Sequence, residues 1–198
     1  MRLGWVAAAL LAAAMIGPAQ AQTGGDAAQG RALAAERNCG TCHGMAGISA
    51  TPNIPSLAGQ PEEFITLQMI LFRERLRDAP PMPDMAQGLE DAQVEALAAH
   101  YAGLPPGHAA DRAPRDAARY AAGAALSEKL RCGICHLPDY RGRAQMPRIT
   151  GQREDYLAQS LTQYRDGTRH GTDTNMNAVV YGISDGDIAA LAHYLAQQ

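Results

Sequence analysis

Apolar positions along this chain recur at helical spacing, and they do so twice. Phe64, Leu67, Gln68, Leu71 and Phe72 fall on one helical face, after a Pro61 suited to a first turn. Tyr156, Leu157, Ser160, Gln163 and Tyr164 repeat that face further on. An alanine-rich helix precedes each of these. Asp26 is placed to cap the first, which runs through Arg31, Leu33 and Arg37. A final helix follows each, Leu89 to Tyr101 and Ile183 to Leu195, the latter introduced by a Ser184-Asp185-Gly186-Asp187 capping box. Between the central and final helices, Asp78-Ala79-Pro80-Pro81-Met82-Pro83-Asp84-Met85 reads as non-helical because of its prolines. Its counterpart runs from Gly171 to Met176. The pattern predicts an all-α protein built from two tandem units of a few short helices each.

The repeat extends to single residues. Gly30 and Gly123 each stand nine positions before a Cys-x-x-Cys-His sequence, and Leu33 and Leu126 each stand six before it. A glycine at one fixed place in two alanine-rich helices points to close approach by another helix. Pro105, Pro106 and Pro114 mark a semi-rigid connector. The expected division is residues 22–103, a linker at 104–113, and residues 114–198. Ahead of these, Met1-Arg2, an apolar run from Trp5 to Ile16 and Ala19-Gln20-Ala21 have the form of an export signal over residues 1–21. That run is too short to favour a membrane span, which needs about 20 apolar residues. Export places the protein in the periplasm.

Composition adds two constraints. A formal charge of −3 argues against nucleic acid as a partner, and Lys129 is the only lysine. With 5% aromatic residues, each half buries a modest core alone and is expected to fold around a cofactor.

The chemistry lies in Cys39-Gly40-Thr41-Cys42-His43 and Cys132-Gly133-Ile134-Cys135-His136, which begin 93 positions apart. C-x-x-C-H is the attachment signature of c-type haem. Two thiols three positions apart reach the two vinyl groups of one porphyrin, and the next residue aims an imidazole at the iron. All four cysteines of the chain are used in this way. Two disulfides would not explain a histidine after each pair. One zinc site would draw its pairs from closer knuckles. Two haem c groups follow, with Cys39, Cys42, Cys132 and Cys135 as attachment points and His43 and His136 as axial iron ligands. Pro55 and Pro147, 12 and 11 residues after those histidines, are candidates to accept from the second ring nitrogen, or are plain turn residues.

The sixth ligand decides whether either iron is open to substrate. Met82 stands seven residues before Leu89, and Met176 stands seven before Ile183, so the repeat selects Met82 and Met176 among eight methionines. Met85 is the alternative for the first site; Val179 occupies its place in the second half. Met45, Met69 and Met146 lack counterparts and read as packing residues. His100 and His193 do not align with one another and read as surface or partly packed histidines. Arg73 with Arg165, and Arg77 with Arg169, are matched pairs at helix ends; they suit haem propionates or a solvated helix terminus.

With the two C-x-x-C-H sites, the Leu57-Ala58-Gly59-Gln60 and Ile149-Thr150-Gly151-Gln152 turns and the repeated methionine step, the chain resembles the cytochrome c4 family from about Asp26 to Leu195. The resemblance implies two class I cytochrome c domains related by pseudo-twofold symmetry, His/Met ligation of both irons, and propionate edges close together at the interface. It implies a periplasmic electron carrier between a quinol-oxidising complex as donor and a membrane-bound terminal oxidase as acceptor, with no catalytic residues of its own. Any peripheral membrane association would come through those partners. The second reading is a dihaem enzyme, thiosulfate-oxidising or peroxide-reducing, with one open or replaceable haem ligand; a third is a fixed subunit of a membrane complex.

Overall fold

Each half begins with an aspartate that cuts a helix out of an alanine-rich stretch. Asp26 accepts from the backbone N–H of Ala28 and Gln29 at 2.9 and 3.2 Å, and Asp116 accepts from that of Arg119 at 2.9 Å. The computed structural model describes residues 25–169 and 174–198; the expected export signal lies outside them. In the first half the helices are α1 (Ala27–Glu36), α2 (Gly40–His43), α3 (Glu62–Arg73), α4 (Met82–Ala86) and α5 (Asp91–Ala102). In the second they are α6 (Ala117–Lys129), α7 (Cys132–His136), α8 (Glu154–Arg165), α9 (Thr174–Val179) and α10 (Asp185–Ala196). The strand-like pairing among the described residues is a single bridge between Arg143 and Met146.

The final helix is the centre of each half. α5 packs against α1 and α3, and α10 packs against α6 and α8. Val94, Ala96 and Ala98 of α5 are wholly buried, as is Ala192 of α10. Leu33, Ile65, Leu89, Leu97 and Tyr101 close the first core; Leu157, Leu161, Val180, Ile188, Leu191 and Leu195 close the second. The predicted glycine crossings are present. A methyl group on Gly30 would strike the Ala96 carbonyl and the Cβ of His100; one on Gly123 would strike the Ala190 carbonyl and the Cβ of Tyr194. His100 and Tyr194 therefore occupy equivalent places.

Three local details differ from the sequence expectation. Met82–Ala86 is helical although Pro83 lies within it, because a proline in the first turn gives up an N–H that has no intrahelical acceptor there. Thr174–Val179 is helical as well, while residues 170–173 lie outside the described part. Pro61 caps α3 from outside instead of entering it, and the final helices start at Asp91 and Asp185, later than Leu89 and Ile183 suggest. The Ser184–Asp187 capping box forms, and Glu90 with Gln93 forms its counterpart.

The connector lies against both halves. Pro106 sits beside Gly59, His108 beside Gly151, and Asp111 pairs with the buried Arg153 at 2.8 Å. Arg153 also binds Asp155 and the carbonyl of Ser49 in the first half. The hydrogen bonds from Arg153 hold the Asp111 carboxyl below the usual range. At Asp155 burial opposes the same effect, and the bonds from Arg153, Asn53 and Tyr156 prevail. Both carboxylates therefore add stability above their unfolded values, and that stability is lost as pH falls through their depressed folded values.

Two measurements follow from this packing. In denaturant unfolding of the holoprotein, Gly30→Ala and Gly123→Ala should each cost about 1–3 kcal/mol through overpacking, whereas Gly186→Ala, on a helix with only ordinary contacts, should add roughly 0.5 kcal/mol. In acid titrations below about pH 4, the native protein should lose stability more steeply than Arg153→Met, in which Asp111 and Asp155 lose the Arg153 bonds that depress them.

Candidate functional site

Both Cys-x-x-Cys-His sequences form single helical turns that follow directly on the first helix of their half. Cys39 and Cys132 are half-buried, whereas Cys42 and Cys135 are exposed; all four thiols are free. Burial pushes the Cys39 and Cys132 thiols up. Among the described residues no three His, Cys, Asp or Glu side chains gather as a zinc knuckle would require.

The histidines that end these turns are held alike. His43 Nδ1 lies 2.9 Å from the Pro55 carbonyl, and His136 Nδ1 lies 2.9 Å from that of Pro147. A carbonyl only accepts, so Nδ1 carries the proton and Nε2 keeps its lone pair. Burial lowers the pKa of both rings more than the proline carbonyls raise it. A buried, neutral imidazole with a fixed tautomer is what an iron ligand requires.

Both rings open on one cavity of about 1010 Å³ shared by the two halves. All four cysteines line it, with Met82, Met85 and Met176. Met82 is half-buried at the start of α4, and Met176 is half-buried on α9. Met85 is 37% exposed, and Val179, its counterpart in sequence, is 38% exposed. The lining is mainly apolar, with Phe72, Leu97, Leu161 and Leu191 among it, as a porphyrin face demands.

Charge within this cavity is unbalanced. Arg77 and Arg169, 7% and 8% exposed, both line it. Arg77 stacks over Phe72 and donates to Gln68 and to the hydroxyl of Tyr156; Arg169 stacks over Tyr164 and leaves its Nε without a partner. Neither has a carboxylate partner among the described residues. At Tyr156 burial would raise the phenol, but Arg169 and Arg77 overcome it and bring the group down to about 7. Two buried guanidiniums without a carboxylate among the described residues suit anions, and haem propionates are anions. Arg73 and Arg165, by contrast, are taken: they bind Asp91 and Asp185 and the carbonyls of Leu89 and Ile183. They pin the central helix to the start of the final one.

Three placements were not anticipated from sequence. His193 is 1% exposed and not on a surface: its Nε2 accepts from the Asp116 N–H at 2.9 Å and its Nδ1 meets Glu154 at 2.9 Å. It ties α6 to α8 and lies off the cavity. Gln60 and Gln152 are buried and reach across the interface. The Gln60 amide accepts from the Arg148 N–H at 3.0 Å and donates to the Arg148 carbonyl at 2.8 Å; Gln152 does the same to Ser56, both at 2.8 Å. Ser56 and Arg148 directly follow Pro55 and Pro147, so the two halves grip each other by equivalent groups. The signal was present: each glutamine stands five residues after its proline and follows a glycine. Those glycines, with φ of 67° and 68°, anchor the turns by donating to the carbonyls of Tyr101 and Leu195.

Known proteins match this arrangement. A family model described as cytochrome c covers residues 120–198, and one described as cytochrome C oxidase, cbb3-type, subunit III, covers residues 25–100. The chain is 34% identical over 191 residues to cytochrome c4 of Azotobacter vinelandii, spanning 88% of this chain and 90% of that protein. It is 31% identical over 175 residues to a thiosulfate dehydrogenase electron acceptor of Thiomonas intermedia (strain K12), spanning 81% and 78%. The crystal structure of reduced recombinant cytochrome c4 from Pseudomonas stutzeri superposes with a TM-score of 0.77 at 32% identity, covering 87% of this chain and 98% of that one. Each half is thus a cytochrome c domain, the fold is all-α with two such domains in tandem, and the two domains carry two covalently bound haem c groups.

The unbalanced arginines give a test with opposite signs. If propionates neutralise Arg77, replacing it with Met should destabilise the holoprotein by on the order of 3 kcal/mol in denaturant unfolding. A gain in stability would mean that Arg77 has no anion to meet.

Proposed function

The chain belongs to the cytochrome c4 family, and from that premise we propose that it is a periplasmic electron carrier whose two irons are closed by His43 with Met82 and by His136 with Met176. It would accept electrons from a quinol-oxidising complex and deliver them to a terminal oxidase. Haem c, when bound, supplies a one-electron iron couple. The chain's own residues do the rest. Cys39, Cys42, Cys132 and Cys135 hold the two groups covalently. His43 and His136 present Nε2 in a tautomer fixed by proline carbonyls. Met82 and Met176 supply soft sulfur, which favours the reduced metal and raises the potential. Apolar walls exclude water, and Arg77 and Arg169, which line the cavity, would compensate propionate charge.

The observation that carries this reading is the shared cavity, with a histidine and a repeat-matched methionine lining it from each half. Two centres so closed would leave no coordination position for substrate. The periplasmic placement rests on the export-signal form of residues 1–21.

The enzymatic reading has one point in its favour, the kinship with a protein named for thiosulfate dehydrogenase. That relative is named as an electron acceptor, which fits a carrier. Carbon monoxide separates the two readings, because it binds ferrous haem only at an open position. The reduced native protein should not bind it, whereas Met176→Ala should bind it at one haem, lower that haem's potential and remove its sulfur-to-ferric-iron absorption band. Rapid binding by the native protein, or an unchanged titration of Met176→Ala, would refute the proposal. Met82→Ala and Met85→Ala measured side by side should show the same change only for Met82.

A further inference from the structure

The interdomain glutamines do not grip arbitrary backbone. The peptide group joining Pro55 to Ser56 accepts at its oxygen from His43 Nδ1, at 2.9 Å, and donates from its nitrogen to Gln152 Oε1, at 2.8 Å. The peptide group joining Pro147 to Arg148 accepts from His136 Nδ1 at 2.9 Å and donates to Gln60 Oε1 at 3.0 Å. In each half one planar amide links the imidazole of that half to a glutamine of the other. Gln60, Gln152 and Ser56 are buried; the Gln152–Ser56 bonds are buried with them, and the Gln60–Arg148 and histidine bonds are part-buried.

Hydrogen bonds in such a chain polarise one another. An amide that donates through its N–H carries more negative charge on its oxygen and accepts more strongly. A stronger acceptor on Nδ1–H draws the imidazole toward imidazolate and makes Nε2 a more basic ligand, which favours ferric iron. We propose that Gln60 and Gln152 are crossed tuning residues: Gln152 lowers the potential of the haem in the N-terminal domain, and Gln60 lowers that of the haem in the C-terminal domain. Each centre then reads whether the opposite domain is docked. A clamp serving adhesion alone has no reason to select, in both halves, the one peptide that the axial histidine uses. The inference rests on His43 and His136 being iron ligands.

The test uses the holoprotein, with spectroelectrochemical titration and NMR of the reduced, diamagnetic state. Gln152→Leu should raise the N-terminal haem's potential, about twofold in its reduced-to-oxidised ratio at fixed applied potential. It should also move the His43 Nδ1–H resonance upfield and leave His136 unchanged. Gln60→Leu should do the converse. Gln152→Glu retains an acceptor for the Ser56 N–H and should not raise the N-terminal potential; a rise equal to that of Gln152→Leu would overturn the proposal. So would both haems shifting together in each variant, as a loosened interface would make them, a shift confined to the glutamine's own domain, or no shift at all. A different result would defeat the ligand assignment itself: a native spectrum in which either imidazole lacks the ring-current displacement of a porphyrin ligand.

Discussion

The structure depends on where two proline carbonyls point. Each has to accept from the ring nitrogen of a buried histidine, and that requirement fixes the loop between the haem-binding turn and the central helix. Once the loop is fixed, the peptide's other edge faces the partner domain and meets a glutamine. Ligand orientation and domain docking thus share two amide groups. A change in either loop is felt at both levels, and the interface needs little apolar area of its own to be specific.

Charge is distributed by the same logic. Arg153, at the connector, is fully neutralised by Asp111 and Asp155 and acts as a structural rivet. Arg77 and Arg169, at the cavity, have aromatic faces beneath them and no carboxylate ion-pair partner among the described residues. Burial of a cation is tolerated where a partner is supplied, and an anionic cofactor edge would supply one here. Arg73 and Arg165 look equivalent in sequence yet close helix junctions, which shows how little helix-end position alone says about an arginine's task.

Much of the fold was legible because the chain is duplicated. Repeated placement pointed to geometry at three places: Gly30 with Gly123 at helix crossings, Pro55 with Pro147 beside the histidines, Met82 with Met176 in the cavity. What stayed hidden lacked a local signature. Gln60 and Gln152 repeat as faithfully as the prolines, but their partners are 88 and 96 residues away and only the docked arrangement brings them together. His193 has no counterpart in the first half, and its burial depends on Glu154 and Asp116 arriving from other helices. The helix at Met82 was masked by its own prolines, which are harmless in a first turn.

Duplication by itself would give two identical centres, between which a charge has no reason to prefer either side. Phe64 and Tyr156 occupy matching places, and only the second carries a hydroxyl, poised between two guanidiniums. That lone oxygen makes the seam chemically lopsided. The matching rings thus differ in whether they offer a hydroxyl to the guanidiniums at the seam, so the two halves present unlike polar groups to one another.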